Sequence, residues 1–172
     1  MTDRLLDLIE RKGLVLGDGA MGTMLQRAGL TDGSAPELWN VTHPDAVRSI
    51  YQGYCEAGSD FITTNSFGGN AFRLKLHQLQ ERVFELNQAA AALARQVASD
   101  ERLVAGSIGP SGELLEPLGA LTVEAARAAF AGQAAGLAAG GCDFLLIETM
   151  SALEEVQAAL QGARQATSLP LA

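Results

Sequence analysis

The sequence predicts an α/β fold built on a parallel sheet, and three observations predict it. Short apolar runs near residues 15, 62, 105 and 146 recur at intervals of one strand-plus-helix unit. The segments between them carry helical periodicity, and strands alternating with helices form parallel sheets with right-handed crossovers. Two segments also echo one another. Ala57-Gly58-Ser59-Asp60-Phe61 and Gly140-Gly141-Cys142-Asp143-Phe144 each end a helix on glycine and open a strand on Asp-Phe. The 172 residues supply about half the strands of a (β/α)₈ barrel, which usually takes about 250 residues. Pattern alone leaves two architectures, a small open sheet or the first half of a barrel.

In chain order, residues 2–12 read as a short helix with Leu5, Leu6, Leu8 and Ile9 on its apolar side. A strand over 14–17 follows, then a helical turn over about 20–28. Residues 29–41 form a Gly- and Pro-containing connection with the single tryptophan, Trp39. Thr42-His43-Pro44-Asp45 is a helix start, with a capping hydroxyl, proline in the first turn and an acid at the positive end. Val47, Ile50, Tyr51 and Tyr54 carry that helix toward Gly58. A second strand over 60–64 ends in the loop 65–70. A long helix over 79–98 places Leu79, Val83, Leu86, Ala90, Leu93 and Val97 on one side. The third strand, 103–107, runs into a glycine-rich loop at 108–112. Thr122 caps the next helix, whose inner side is Val123, Ala126, Phe130 and Leu137. The fourth strand, 144–147, ends at Glu148. Ser151 and Glu154 have the spacing of a capping box for the helix after it, and residues 169–172 begin a fifth strand.

Composition excludes several classes of function. Hydrophobic residues make up 48% and charged residues 19%, which is the balance of a globular chain. A net charge of −8 with only two lysines argues against a nucleic-acid groove or an anionic membrane surface as partner. No apolar run approaches the length of a membrane span, and residues 1–12 are a charged amphipathic start rather than a secretion signal. Cys55 and Cys142 lie far apart, in no metal-like spacing, and read as two buried reduced thiols of a cytoplasmic protein.

The chemistry concentrates at 14–22, LVLGDGAMG. An apolar run delivers Asp18 to the C-terminal end of a strand, and glycine-rich backbone then bends into a helix. The amides of residues 19–23 open that helix and can point at an anion. Such a place suits a small zwitterion, its carboxylate on the amides and its ammonium on Asp18. Glu148 ends another strand at the same edge of the sheet, so the two acids could converge on one ammonium. Asn65, Ser66 and Ser107 end the second and third strands and could supply neutral hydrogen bonds. The plainer alternatives are a helix-capping aspartate at 18, a helix-dipole partner at 148 and turn residues elsewhere. His43 fits a helix start, His77 a surface loop, and Arg73 with Lys75 a solvated charge cluster. Gly17, Gly19 and Gly22 also satisfy G-x-G-x-x-G, the fingerprint of a dinucleotide binder. Against that reading, Asp18 would set a negative charge beside a pyrophosphate, and the candidate ribose acid, Glu37, lies in the connection rather than at a strand end.

Five segments in order resemble the homocysteine S-methyltransferase family. They are Asp18-Gly19-Ala20-Met21-Gly22-Thr23-Met24, Glu37-Leu38-Trp39-Asn40, Thr64-Asn65-Ser66-Phe67-Gly68-Gly69-Asn70, Gly106-Ser107-Ile108-Gly109-Pro110-Ser111-Gly112 and Ile147-Glu148-Thr149-Met150. That family includes the betaine–homocysteine methyltransferases and the homocysteine-binding module of cobalamin-dependent methionine synthase. The resemblance implies the N-terminal half of a (β/α)₈ TIM barrel with four to five βα units, residues 1–172 being part of a single homocysteine-binding domain. It implies methyl transfer to homocysteine from an activated donor, such as betaine or a methyl-cobalamin/folate system, giving methionine. A zinc ion would lower the thiol pKa so that thiolate exists at neutral pH. By the same resemblance, Asp18 and Glu148 hold the substrate ammonium, the amides of Gly19, Ala20 and Met21 receive its carboxylate, and Asn65 lines the pocket. The family's three zinc cysteines belong to later strands. The chain ends before those segments, and neither Cys55 nor Cys142 matches a ligand position. The expectation is a chain that holds the amino-acid end of homocysteine, binds no zinc and transfers no methyl group alone. Cobalamin would enter only through another module. A half-barrel also implies an exposed edge and self-association. The alternatives are a non-enzymatic half-barrel binding module and the open-sheet dinucleotide binder.

Overall fold

The computed structural model describes residues 4–172. Three parallel strands, β1 (Phe61–Thr63), β2 (Leu103–Ile108) and β3 (Phe144–Ile147), form one sheet in the order β1-β2-β3. Phe61 pairs with Leu103, and Ala105 pairs with Phe144. The helices are α1 (Arg4–Lys12), α2 (Met21–Arg27), α3 (Trp39–Thr42), α4 (Pro44–Glu56), α5 (Ala71–Lys75), α6 (Val83–Ala98), α7 (Val123–Ala139) and α8 (Leu153–Ala166). Short 3₁₀ turns at Pro36–Leu38 and Gln80–Arg82 precede α3 and α6. The expected helix at 2–12 is α1, and residues 2 and 3 of it lie outside the described residues.

Side-chain alternation divides the sheet into two faces. Ile62, Val104, Ile108 and Leu145 join the large core under α4, α6, α7 and α8. Leu103, Ala105 and Phe144 form a second, smaller cluster with Phe61, Leu146 and the Leu5 and Leu8 side chains of α1. The helical layer is close-packed because small residues let backbones approach. A Cβ on Gly162 of α8 would stand 2.5 Å from the Arg127 carbonyl of α7, and one on Gly136 of α7 would stand 2.7 Å from the Phe84 carbonyl of α6. Any side chain at either position drives two helices apart.

The repeated Gly-x-Asp-Phe segments have one physical meaning. Asp60 and Asp143 each precede a strand, and each carboxylate accepts a backbone N–H from the neighbouring segment: Leu16 N at 2.9 Å and Val104 N at 2.7 Å. Each also holds α1 across the end of the sheet, through Lys12 to Asp60 and Arg4 to Asp143, both at 2.5 Å.

That arrangement corrects the strand expected at 14–17. The segment runs extended beside β1, with Leu16 O accepting from Asp60 N at 2.7 Å, but it forms no ladder. The Leu16 N–H, which a strand would give to a partner carbonyl, goes to the Asp60 carboxylate instead. The fifth strand begins as expected, with Leu145 N donating to Pro170 O and Ala172 N to Leu145 O, each at 2.9 Å.

Three helix-end expectations are also corrected. His43, not Thr42, occupies the cap of α4, because the Thr42 hydroxyl donates back to Leu38 O at 3.1 Å within α3. Ser151 and Glu154 form no capping box, since α8 starts one residue late, at Leu153 with Ala152 in the cap. The helix expected from 79 begins at Val83 after its 3₁₀ turn, and Val123, expected inside, is half exposed at the start of α7. Thr122 does cap α7, accepting from Ala125 N at 3.1 Å.

Candidate functional site

The C-terminal ends of the strands open into a cavity of about 540 Å³. Its floor follows from the alternation that builds the inner face. Thr63 stands two residues beyond Phe61, Ser107 two beyond Ala105 and Glu148 two beyond Leu146, so the inner face changes from apolar to polar as it reaches the cavity. Asp18 arrives from the extended segment beside β1. Its Oδ1 accepts from Thr63 Oγ1 at 2.7 Å and its Oδ2 from Thr63 N at 2.8 Å. Burial pushes the Asp18 carboxyl above its ordinary range, the two Thr63 hydrogen bonds oppose that, and the charge of Glu148 adds to the rise. The two acids therefore share one electrostatic environment. Glu148 Oε1 accepts from Ser107 Oγ at 2.7 Å. The residue after it, Thr149, has φ +59°, and its hydroxyl reaches Glu148 Oε2 at 3.4 Å. A β-branched residue in the left-handed region is a strained turn, and here it sits directly behind a cavity acid.

All six residues singled out in the sequence as substrate-binding, Asp18, Gly19, Ala20, Met21, Asn65 and Glu148, line this cavity. Residues 20–22 stand at the start of α2, where amides have no intrahelical acceptor. Asn65 differs in kind from the others. Both its amide hydrogens are already used, on Pro36 O at 2.7 Å and Asn40 Oδ1 at 3.1 Å, so it ties the 36–40 connection to the end of β1. Thr63 carries the Asp18 contact and was not distinguishable in sequence from any other strand threonine. Ser66 and Ser107 are buried in a chain of hydrogen bonds. Ser107 N donates to Thr64 Oγ1 at 3.0 Å, and Ser66 Oγ donates to Ser107 O at 2.8 Å. Gln133 of α7 seals this chain from below, its Nε2 donating to Ser66 O at 2.7 Å.

Three residues read otherwise from sequence also line the cavity: Glu37, Arg73 and His77. Glu37 is buried, accepts from Gly68 N at 2.7 Å, and burial pushes its carboxyl up. Arg73 and His77 are exposed, as a solvated residue and a surface-loop residue should be, and both also line the cavity. His43 stacks on Trp39, ring centroids 4.3 Å apart, away from the cavity lining.

The dinucleotide fingerprint is set aside on geometry. Its third glycine should permit close helix–strand packing, but a Cβ on Gly22 would meet nothing within 4 Å. Asp18 moreover presents a carboxylate where a pyrophosphate would lie.

A parallel α/β layer with paired acids and helix-opening amides around one cavity has the chemistry to hold a small cationic or zwitterionic group. The model of the homocysteine S-methyltransferase family matches residues 15–172, and the chain belongs to that family. The methionine synthase of Mycobacterium tuberculosis is 39% identical over 175 residues, which cover 94% of this chain and 14% of that protein. The methionine synthase of Mycobacterium leprae is 38% identical over 178 residues, covering 96% and 14%. This chain thus spans a small part of these relatives. Among solved structures, the oxidized form of the homocysteine methyltransferase MmuM from Escherichia coli superposes with a TM-score of 0.84 at 24% identity, over 99% of this chain and 64% of that one. The metallated form gives 0.82, over 97% and 64%. The fold is accordingly α/β and corresponds to the N-terminal half of a (β/α)₈ barrel.

The family's zinc can be tested against the donors present. Cys142 is buried on the helix side of β2, beside Gly106 and Leu137, and Cys55 is buried on α4. Burial pushes both thiols up, against formation of a thiolate. Among the described residues no group of three His, Cys, Asp or Glu side chains could hold a metal ion. The residues present do not fit a zinc site.

Proposed function

We propose that this chain holds the amino-acid end of homocysteine in a homocysteine S-methyltransferase, as part of one barrel domain whose other strands bring the zinc ligands. Asp18 and Glu148 take the ammonium, the amides of Gly19, Ala20 and Met21 the carboxylate, and Asn65 the adjoining wall. The observation that carries this reading is the pair of acids, each fixed by a hydroxyl from a different strand, with the charge of Glu148 acting on Asp18. Their hydroxyl partners already fix both carboxylates, so little ordering is needed when a cation arrives. Methyl transfer to the thiol, from a donor such as betaine or a methylated corrinoid, belongs to the complete enzyme. Two buried free thiols support a reducing, cytoplasmic setting. Among the described residues no helix is long and apolar enough to cross a membrane.

Calorimetric titration of the chain with L-homocysteine, 4-mercaptobutanoate and 3-aminopropane-1-thiol tests the reading. Homocysteine should bind, and loss of the ammonium should weaken binding by about tenfold or more, the worth of a hydrogen bond to a charged group. Equal binding of homocysteine and 4-mercaptobutanoate would refute it.

A second reading, association through the open side of the sheet, has its own observation. Leu14 and Leu16 of the extended segment are 78% and 57% exposed.

A further inference from the structure

The loop that carries Asp18 into the cavity is held at two points. Thr63 fixes Asp18 itself. Ala20, two residues on, stands before α2 in extended backbone, φ −62° and ψ 112°, and has no side chain that could cap the helix or fix the turn. The Tyr54 hydroxyl of α4 takes that part, donating to Ala20 O at 3.0 Å. Its ring lies along the same loop. A Cβ on Gly19 would stand 3.0 Å from Tyr54 Cε1 and 3.0 Å from the hydroxyl oxygen, so the ring fills the space that a side chain at 19 would need. Burial and the charge of Asp18 push the Tyr54 phenol above its ordinary range, which keeps it a donor. One turn earlier on α4, Tyr51 is fully buried and its hydroxyl accepts from Asn65 N at 2.7 Å, beyond the end of β1. The two tyrosines tie two walls of the cavity to one helix, and Tyr54 does so from behind the lining.

A trans peptide is planar, with its C=O and N–H on opposite sides. Holding Ala20 O toward Tyr54 therefore turns the Met21 N–H away from Tyr54, and Met21 is one of the residues that line the cavity. We propose that Tyr54 is a positioning residue of this cavity, whose hydroxyl sets the Ala20–Met21 peptide so that the Met21 amide meets the substrate carboxylate. Tyr54 acts through that peptide and touches neither the substrate nor the acid pair. The ammonium end, held by Asp18 on Thr63, does not depend on it. Groups pre-set by a rigid element lose less on binding than groups that must be ordered then. This proposal rests on the homocysteine reading, which assigns the amides of residues 19–21 to that carboxylate.

The test titrates the full chain, wild type and Tyr54→Phe, with L-homocysteine, 4-mercaptobutanoate and 3-aminopropane-1-thiol, read from backbone amide resonances into the millimolar range. Phenylalanine keeps the ring against Gly19 and removes only the hydroxyl. Tyr54→Phe should weaken homocysteine and 4-mercaptobutanoate by about three- to tenfold, the worth of one neutral hydrogen bond, and leave 3-aminopropane-1-thiol within about twofold. In the wild type the Met21 amide should shift with the two carboxylate ligands and not with the aminothiol. An equal loss for all three ligands would overturn the proposal, because Tyr54 would then only support the fold. Unchanged homocysteine affinity in Tyr54→Phe would overturn it too. Should that variant fail to fold, the wild type decides: a Met21 amide that answers 4-mercaptobutanoate no more than the aminothiol overturns the proposal, and the opposite result supports it. These failures leave the acid pair and the homocysteine reading standing. A wild-type chain that does not bind homocysteine removes that reading and this proposal together.

Discussion

Replacing Asp18 by asparagine separates what this acid does for binding from what it does for folding. The carboxylate accepts two hydrogen bonds from Thr63, at 2.8 and 2.7 Å. An asparagine keeps one acceptor and turns an N–H₂ toward the other donor, so one bond is lost and a partly buried charge is removed with it. A hydrogen bond to a charged group is worth about 1.5–3 kcal/mol, and relief of desolvation offsets part of that, so the folding cost should be about 1 kcal/mol or less. The binding cost has no such offset. Losing the charge-assisted bond to the homocysteine ammonium should cost about 1.5–3 kcal/mol, or about 10- to 150-fold in affinity. The pH dependence gives an independent check. Burial raises the Asp18 pKa above its ordinary value of 3.8, so between that value and the folded one the native state binds more protons than the unfolded state. The stability contributed by protonated Asp18 is therefore present at low pH and lost as pH rises through the folded pKa. Ammonium binding needs the carboxylate, so homocysteine affinity runs the opposite way and rises across the same window. Calorimetry and urea melts of wild type and Asp18→Asn over this range measure both. A variant that binds homocysteine within about threefold of wild type at neutral pH, or a wild type whose affinity falls across the window, would refute the reasoning.

Thr149→Gly should relieve the left-handed turn, raising stability by up to about 1 kcal/mol and the melting temperature by about 2–4 °C, while loosening Glu148 and weakening homocysteine binding. A lower melting temperature would show that the turn is not strained. Gln133→Leu should cost only about 1 kcal/mol by urea denaturation. Both carbonyls that Gln133 serves keep another donor, Gly69 N on Ser66 O and Ser66 Oγ on Ser107 O, and the unpaired buried Oε1 is removed. Gln133→Ala should cost about 2 kcal/mol or more, because it leaves a cavity as well. The 172-residue chain made alone should self-associate through the side carrying Leu14 and Leu16, and Leu14→Lys with Leu16→Lys should shift sedimentation toward monomer. Wild-type chain that stays monomeric at high concentration would contradict this.

The positions of Asp18 and Glu148 were legible in the sequence. An apolar run ending in an acid, followed by helical spacing, is a local pattern that places a carboxylate at the end of an extended segment, whether that segment joins the sheet, as before Glu148, or only runs beside it, as before Asp18. The parallel α/β class was legible for the same reason, since alternation of periods needs no knowledge of partners. Register is another matter. Thr63 and Ser107 became the acids' partners only when pairing of β1, β2 and β3 set one inner face. The strand expected at 14–17 stayed unladdered because Asp60, 44 residues away, takes the Leu16 amide. Arg73 had the composition of a solvated cluster, and only the packing of its stem beside Gly68 and Glu37 brings it to the cavity lining as well. Local sequence determined which groups sit at the strand ends. The tertiary structure decided which of them meet, because hydrogen bonds and charge coupling depend on distances that span separate βα units.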